Sequence, residues 1–474
     1  MTVGGGTSTL QEQGKRLLAL LQGASRALKF YPLDNATVQH ALDELHTFVE
    51  SLVQGESVIK LRLVGDFFFL DETRLRLDIR NFSTFAGFSR AMSEHGVGAV
   101  VVYPGIQRDE WAPFLSLLLR PAAAEDPYLF FEERLSAAPV EHIDVQPSQE
   151  EAEGDLDEEA KLKAAKRTYA QSVKVARDIL GDVRLGHVVS ARKVKRTVQN
   201  IVDQVLANEP SMITMTTLRD FDEYTFTHCV NVCIFGVVIG QRLGLTKLQL
   251  YELGLAGLLH DIGKQKIDAD IINKAGGLDP EEWYQIQQHP TEGLLLLFHM
   301  PGFSDVPYRQ MLVAYEHHMR TDLTGYPVNR RHRVPRLFSR IIAVADGFDA
   351  ATSVRSYQYQ PRAADAVLRE MKENPKRGFD PLLVKALINA TGVFPIGTLV
   401  FLDTFEMAVV SGINPEQLHQ PKVKVIADAM GVRVVPPRVV DLSEVDPSTG
   451  RPYRQIVKTT DAQRYGIRVS DYLT

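Results

Sequence analysis

Histidines and aspartates recur through the middle of this chain at the ends of apolar runs, where folding would bury them. His228 opens a segment running through Val232, Ile234 and Val238. His260-Asp261 closes the stretch Leu253 to Leu259 and leads into Ile262-Gly263-Lys264. His289 stands before Pro290, His317-His318 follow Met311, Leu312 and Tyr315, and Asp346 closes Ile341–Ala345. Burying so many ionisable groups is costly unless something compensates them. A pair of divalent cations does so, because ionised carboxylate and neutral imidazole are ordinary metal ligands. A carboxylate can bridge two ions, whereas an imidazole serves one. The set contains no thiol, which argues against a cysteine-type structural zinc site. Such a centre suits phosphoester hydrolysis, since it ionises a water near neutral pH and stabilises phosphoryl oxygens. The other histidines, His40, His46, His95, His142, His187, His299, His332 and His419, stand singly and carry no such pattern.

Five helices must deliver these groups, and the surrounding periodicity predicts them between about Phe221 and Phe394. Long helical patterning precedes them, from Ala164 to Leu180 and from Val194 to Leu206, with Pro210 ending the second run. These two helices suit pairing between subunits of a homodimer as well as packing within one chain. After Pro395 short β patterns take over, at Thr398–Leu402, Ala408–Val410, Val423–Ile426 and Val432–Val435.

The first 148 residues have a different character. Helical spacing at Leu17, Leu18, Leu21 and Leu28 and at Val38, Leu42, Leu45 and Val49 gives way to alternation at Ile59, Leu61 and Leu63. Further strand is predicted at Phe67–Leu70, Arg74–Leu77 and Ala99–Tyr103, with helices over Ser83–His95 and Asp109–Leu119. This α+β unit holds no catalytic constellation and is read as a regulatory or dimerisation domain. The chain is therefore expected to be multidomain: 1–148 α+β, 149–165 an acidic linker, 166–394 the helical catalytic domain, and 395–474 a small β-rich extension.

The ordered motifs resemble the HD-GYP proteins, a branch of the HD superfamily of metal-dependent phosphohydrolases. The likeness rests on His228, then His260-Asp261-Ile262-Gly263-Lys264, His289-Pro290, His317-His318, Gly325-Tyr326-Pro327 and Val344-Ala345-Asp346. It is strong from about Arg219 to Gln360. It implies an all-α HD-type fold and a cyclic di-GMP phosphodiesterase giving linear pGpG and, in some members, GMP. By similarity, His228, His260, Asp261, His289, His317, His318 and Asp346 would hold two metal ions, iron or manganese first, with Asp261 bridging. Some members bind a third ion through a Glu four residues before the first His; Tyr224 stands there, so a binuclear site is implied. Lys264 would contact the scissile phosphate, and Asp222, Tyr326 and Arg355 the dinucleotide.

Three positions depart from the family pattern. Met319 replaces a carboxylate, Leu323 a loop glycine and Gln358 a cation. They bear on substrate affinity and leave the ligand set complete. They also support an alternative reading, a scaffold that keeps the cage and signals through a partner such as a diguanylate cyclase; a phosphohydrolase for another nucleotide is a further one.

Composition agrees with an enzyme of this kind. The 474 residues are 45% hydrophobic and 24% charged, and the net charge of -6 argues against a binder of nucleic-acid polymers or anionic membranes. No stretch approaches a membrane span, and Met1 to Thr9 lack a signal-peptide pattern. Cys229 and Cys233, one helical turn apart, have poor disulfide geometry and are read as reduced thiols of a cytoplasmic protein.

Overall fold

Alternation in the sequence becomes alternation of burial in the first sheet. In β1 (Ile59–Val64), Ile59, Leu61 and Leu63 are buried while Lys60 and Arg62 are half-exposed. The computed structural model describes residues 5–53, 58–64, 67–71, 73–75, 79–121, 126–148, 158–187, 189, 191–217, 224–274, 276–300, 307–322, 324–328, 334–353, 362–374, 378–460 and 462–473. The chain divides into two units, Met1–Leu156 and Asp157–Thr474.

In the first unit, β1 joins β2 (Phe67–Leu70), β3 (Thr73–Arg74), β4 (Val97–Val102) and β5 (Ile143–Pro147) in an antiparallel sheet of order β3-β2-β1-β4-β5. Helices α1 (Gly5–Phe30), α2 (Ala36–Leu52), α3 (Ile79–Glu94), α4 (Trp111–Leu118) and α5 (Pro127–Ala137) complete the unit. Leu18, Leu42, Phe68, Val100, Trp111 and Phe114 share its core. Two elements, α5 and β5, escape the sequence reading, because one mixes charged and aromatic residues and the other is five residues long. Glu110 ties this region together. Its carboxylate accepts the backbone N–H groups of Gln107, Glu141 and His142 and meets His142 Nδ1 at 2.6 Å. Burial raises its pKa, but these donors outweigh burial and hold it below the usual carboxylate range.

The second unit opens with α6 (Glu158–Leu185) and α7 (Ala191–Met215). Helix α6 begins inside the stretch 149–165 read as an acidic linker. Acidic residues at a helix start are favoured by the exposed N–H groups there, so acidity did not exclude helix. Nor does Pro210 end α7. Asn208 leaves helical geometry (φ -155, ψ 73) and the helix resumes behind it. Proline is tolerated in the first turn after such a break, where its missing N–H costs nothing.

The remaining helices are α8 (Tyr224–Arg242), α9 (Lys247–Leu259), α10 (Ala269–Ile272), α11 (Pro280–Ile286), α12 (His289–His299), α13 (Tyr308–Glu316), α14 (Leu337–Thr352), α15 (Ala364–Glu373) and α16 (Pro381–Thr391). Helix α8 is buried along most of its length and packs between apolar neighbours that include Val198, Leu258 and Ile342. An antiparallel sheet follows, β6 (Leu399–Leu402), β7 (Met407–Gly412), β8 (Lys422–Ala427), β9 (Arg433–Asp441) and β10 (Ile456–Thr460), in order β10-β6-β7-β8-β9. The edge strand β10, half of it exposed, was not anticipated. A short α17 (Ser470–Leu473) lies beyond it. No described helix is long and apolar enough to cross a membrane.

Both cysteines are free and buried within α8, and burial pushes both thiols far above their ordinary pKa. A thiol reagent at pH 8 should therefore label neither in the native protein and both in guanidinium. Native labelling at the unfolded rate would contradict the packing of α8.

Candidate metal centre

The seven expected ligands come together from five helices or their ends. Asp261, 3% exposed, stands in the middle and divides its two oxygens between two groups. Its Oδ1 lies 3.3 Å from His289 Nε2 and 3.6 Å from His317 Nε2. Its Oδ2 lies 3.2 Å from His260 Nε2 and 3.7 Å from His228 Nε2. Each group has metal-site spacing: Asp261, His289, His317 and His318 form one, His228, His260 and Asp261 the other, with ligand atoms in each within 4.8 Å of one another. Asp346 faces both, with Oδ1 3.2 Å from His228 Nε2 and Oδ2 3.9 Å from His318 Nδ1.

Helix ends set the orientation of three rings. His260 Nδ1 lies 2.7 Å from Gly257 O, His289 Nδ1 2.6 Å from Ile286 O, and His317 Nδ1 2.9 Å from Ala314 O. Each carbonyl lies three residues earlier, in the last turn of a helix, where carbonyls lack intrahelical partners. A carbonyl only accepts, so Nδ1 carries the proton and Nε2 of the neutral ring presents its lone pair inward. His289 Nε2 and His317 Nε2 thus face each other at 3.2 Å, beside a carboxylate oxygen. Lone pairs converging in this way repel unless a cation lies between them. His260 Nε2 and Asp261 Oδ1 are also buried without a hydrogen-bond partner, the condition expected of metal ligands whose metal completes them. The residues fit divalent cations.

His228 is oriented differently. Its Nδ1 meets Asp349 Oδ2 at 2.7 Å, and Asp349 Oδ1 accepts from Asn231 Nδ2 at 2.9 Å. This carboxylate–imidazole pairing directs Nε2 into the cage, an arrangement common behind metal-bound histidines. Neither Asp349 nor Asn231 was singled out from the sequence. The available signal was spacing, since Asp349 follows Asp346 by three residues and Asn231 follows His228 by three, each on the same helix face.

Protonation agrees with ligation. Burial raises the Asp261 carboxyl, but Lys264 and His260 outweigh it and hold the group well below the carboxylate range. Asp346 is likewise raised by burial and brought well below by its bond to His228 and by His318. Burial pushes His289 down to about 3, and burial with neighbouring His317 and His289 keeps His318 well below its ordinary value. His228 moves the other way: burial lowers it, but Asp346 and Asp349 together prevail and raise it.

Comparison with known proteins places this cage in a family. The HD domain family matches residues 200–383, which contain every cage residue. Over 311 residues the chain is 33% identical to a cyclic di-GMP phosphodiesterase of Pseudomonas aeruginosa, covering 66% of this chain and 73% of that relative. The chain belongs to the HD-GYP family of phosphodiesterases. Shorter matches reach a 3′3′-cGAMP-specific phosphodiesterase of Vibrio cholerae, 34% identical over 36% of each chain. Another is a cyclic di-GMP phosphodiesterase of Thermotoga maritima, 33% identical over 37% of this chain and 46% of that one.

The remaining expected residues of this HD-GYP enzyme fall in three places. Lys264, expected on the scissile phosphate, has its Nζ 2.5 Å from Asp261 Oδ2. Tyr326 closes over the cage, its ring 4.6 Å from that of His318, and Trp283 meets it edge-on at 5.9 Å. Trp283 is 46% exposed, large for an aromatic beside a buried cage, and escaped the sequence reading although the chain has only two tryptophans. Asp222 and Arg355 lie outside the described residues, as do Leu323 and Gln358. Met319 pairs with Gly325 in an isolated β-bridge that shapes the Gly-Tyr-Pro loop. Gly325 (φ 96) is required there, because a Cβ would sit 2.3 Å from His318 O.

Proposed function

We propose that this HD-GYP phosphodiesterase hydrolyses cyclic dinucleotides, cyclic di-GMP first among them, to linear pGpG and onward to GMP. The carrying observation is the division of the Asp261 oxygens between two histidine groups, the arrangement a bridging carboxylate needs. In this reading His289, His317 and His318 hold one divalent cation, His228 and His260 the other, and Asp346 completes the set between them. Iron or manganese suits this mixture of imidazole and carboxylate. When bound, the cations supply a nucleophile from water and offset charge on the phosphoryl oxygens.

The chain's own residues do the rest. Lys264 turns its ammonium from Asp261 to a non-bridging phosphate oxygen as the charge there grows. Trp283 and Tyr326 offer aromatic surface at the mouth, on which a guanine can stack. Asp222 and Arg355 contact the dinucleotide, by similarity to the family. The 3′-oxygen of a ribose leaves. The names of the relatives support the substrate class, and they include enzymes named for cyclic di-GMP and for 3′3′-cGAMP.

The test is turnover by protein purified and metal-loaded without oxygen. Cyclic di-GMP should give pGpG, and Lys264→Ala should slow the reaction about 10²-fold, as loss of one charge-stabilising donor does, with metal content unchanged. Fully loaded protein that leaves both cyclic di-GMP and 3′3′-cGAMP intact would overturn the proposal in favour of a scaffold.

A further inference from the structure

We infer that Tyr169 is a positioning residue for the metal centre, acting on His228 through Asn231 and Asp349. Tyr169 lies on α6, outside residues 200–383 matched by the HD domain family, and 8% of it is exposed. Its hydroxyl donates to Asn231 Oδ1 at 2.9 Å. The amide of Asn231 passes the interaction on, Nδ2 donating to Asp349 Oδ1 at 2.9 Å, and Asp349 Oδ2 meets His228 Nδ1 at 2.7 Å. Asn231, Asp349 and His228 are all at least 98% buried. The chain of bonds therefore runs from the first helix of the unit to a ligand of the cage without passing through solvent.

Its polarity is determined by chemistry. An ionised carboxylate only accepts, so the NH2 end of the Asn231 amide must face Asp349. The oxygen end is then left toward α6, where the tyrosine hydroxyl supplies the donor that matches it. Removing that hydroxyl leaves the amide oxygen without this donor in a buried setting and relaxes the only end of the amide that α6 holds in register. Asp349 would then lose a well-placed donor and with it the exact angle at which it holds the His228 ring. Outer-shell partners of metal-bound histidines act through such orientation. A purely structural role is the competing account, because Tyr169 shares the buried face of α6 with Val173, Ala176 and Leu180.

The inference rests on the metal reading of the cage, and the test separates the two. Full-length protein is stripped of metal, and its affinity for Mn2+ is measured by calorimetry alongside the unfolding midpoint of the metal-free form. Tyr169→Phe keeps the ring and should weaken Mn2+ binding about fivefold, the effect of one net hydrogen bond. Asp349→Asn should weaken it about 10- to 100-fold, and Tyr169→Phe should add nothing in that background. Val173→Ala, on the same helix face, should lower the midpoint and leave Mn2+ affinity unchanged. Unaltered Mn2+ affinity in Tyr169→Phe would overturn the inference, as would additive effects with Asp349→Asn or an equal loss in Val173→Ala. Wild-type protein that takes up no Mn2+ would instead refute the cage, and the role of Tyr169 with it.

Discussion

Asp261→Asn is expected to abolish metal loading and phosphodiester turnover together, with the fold retained. Asparagine has the same shape, so the helices that converge on position 261 keep their packing. It lacks the charge and the second anionic oxygen, and both histidine groups lose the ligand they share at 3.2 to 3.7 Å. The loss should exceed the about 10- to 100-fold typical of an outer-shell partner, because the missing group is the one that joins the two halves. Metal content by mass spectrometry, far-ultraviolet circular dichroism and product formation from cyclic di-GMP check this together. Near-normal turnover in the variant would refute the binuclear cage.

Gly263→Ala should be the most damaging single methyl in the second unit. A Cβ at 263 would lie 1.9 Å from His289 O and 2.5 Å from Gly293 N. Both are backbone atoms of α12, so no side chain can turn aside, and α12 with His289 must move as a body. Overpacking of this kind costs about 3 kcal/mol or more, and the displaced His289 should take metal binding with it. Gly277→Ala is the matching control, since nothing lies within 4 Å of its added Cβ; it should change stability by less than about 0.5 kcal/mol. Urea midpoints and Mn2+ uptake for the two variants decide the point. A Gly263→Ala protein with the wild-type midpoint and full metal would show that the turn after α9 is not packed on α12 as described.

These effects trace back to features of unequal visibility in the chain. Apolar runs ending in His or Asp were legible because burial of such groups demands a common explanation, and periodicity marked the helices that carry them. Alternation at Ile59, Leu61 and Leu63 likewise announced β1. Short elements such as β5 and β10 carry too few residues for a pattern to rise above composition. The kink at Asn208 was read as a helix end because a proline signals a break and says nothing of what resumes after it.

Within the cage, residue type and order by themselves determined which side chains suit divalent cations, because imidazole and carboxylate chemistry is a property of the residue. Which oxygen of Asp261 serves which group, which ring nitrogen faces inward, and that Asp349 stands behind His228 while Asp346 faces the cage were decided only by the tertiary structure. Two aspartates three residues apart on one helix are alike in sequence. Their difference arises from the neighbours that other helices bring, Asn231 and His228 Nδ1 to one, His228 Nε2 and His318 to the other. Direction and distance at this scale depend on how whole helices pack, and that packing is a sum over contacts far apart in the chain.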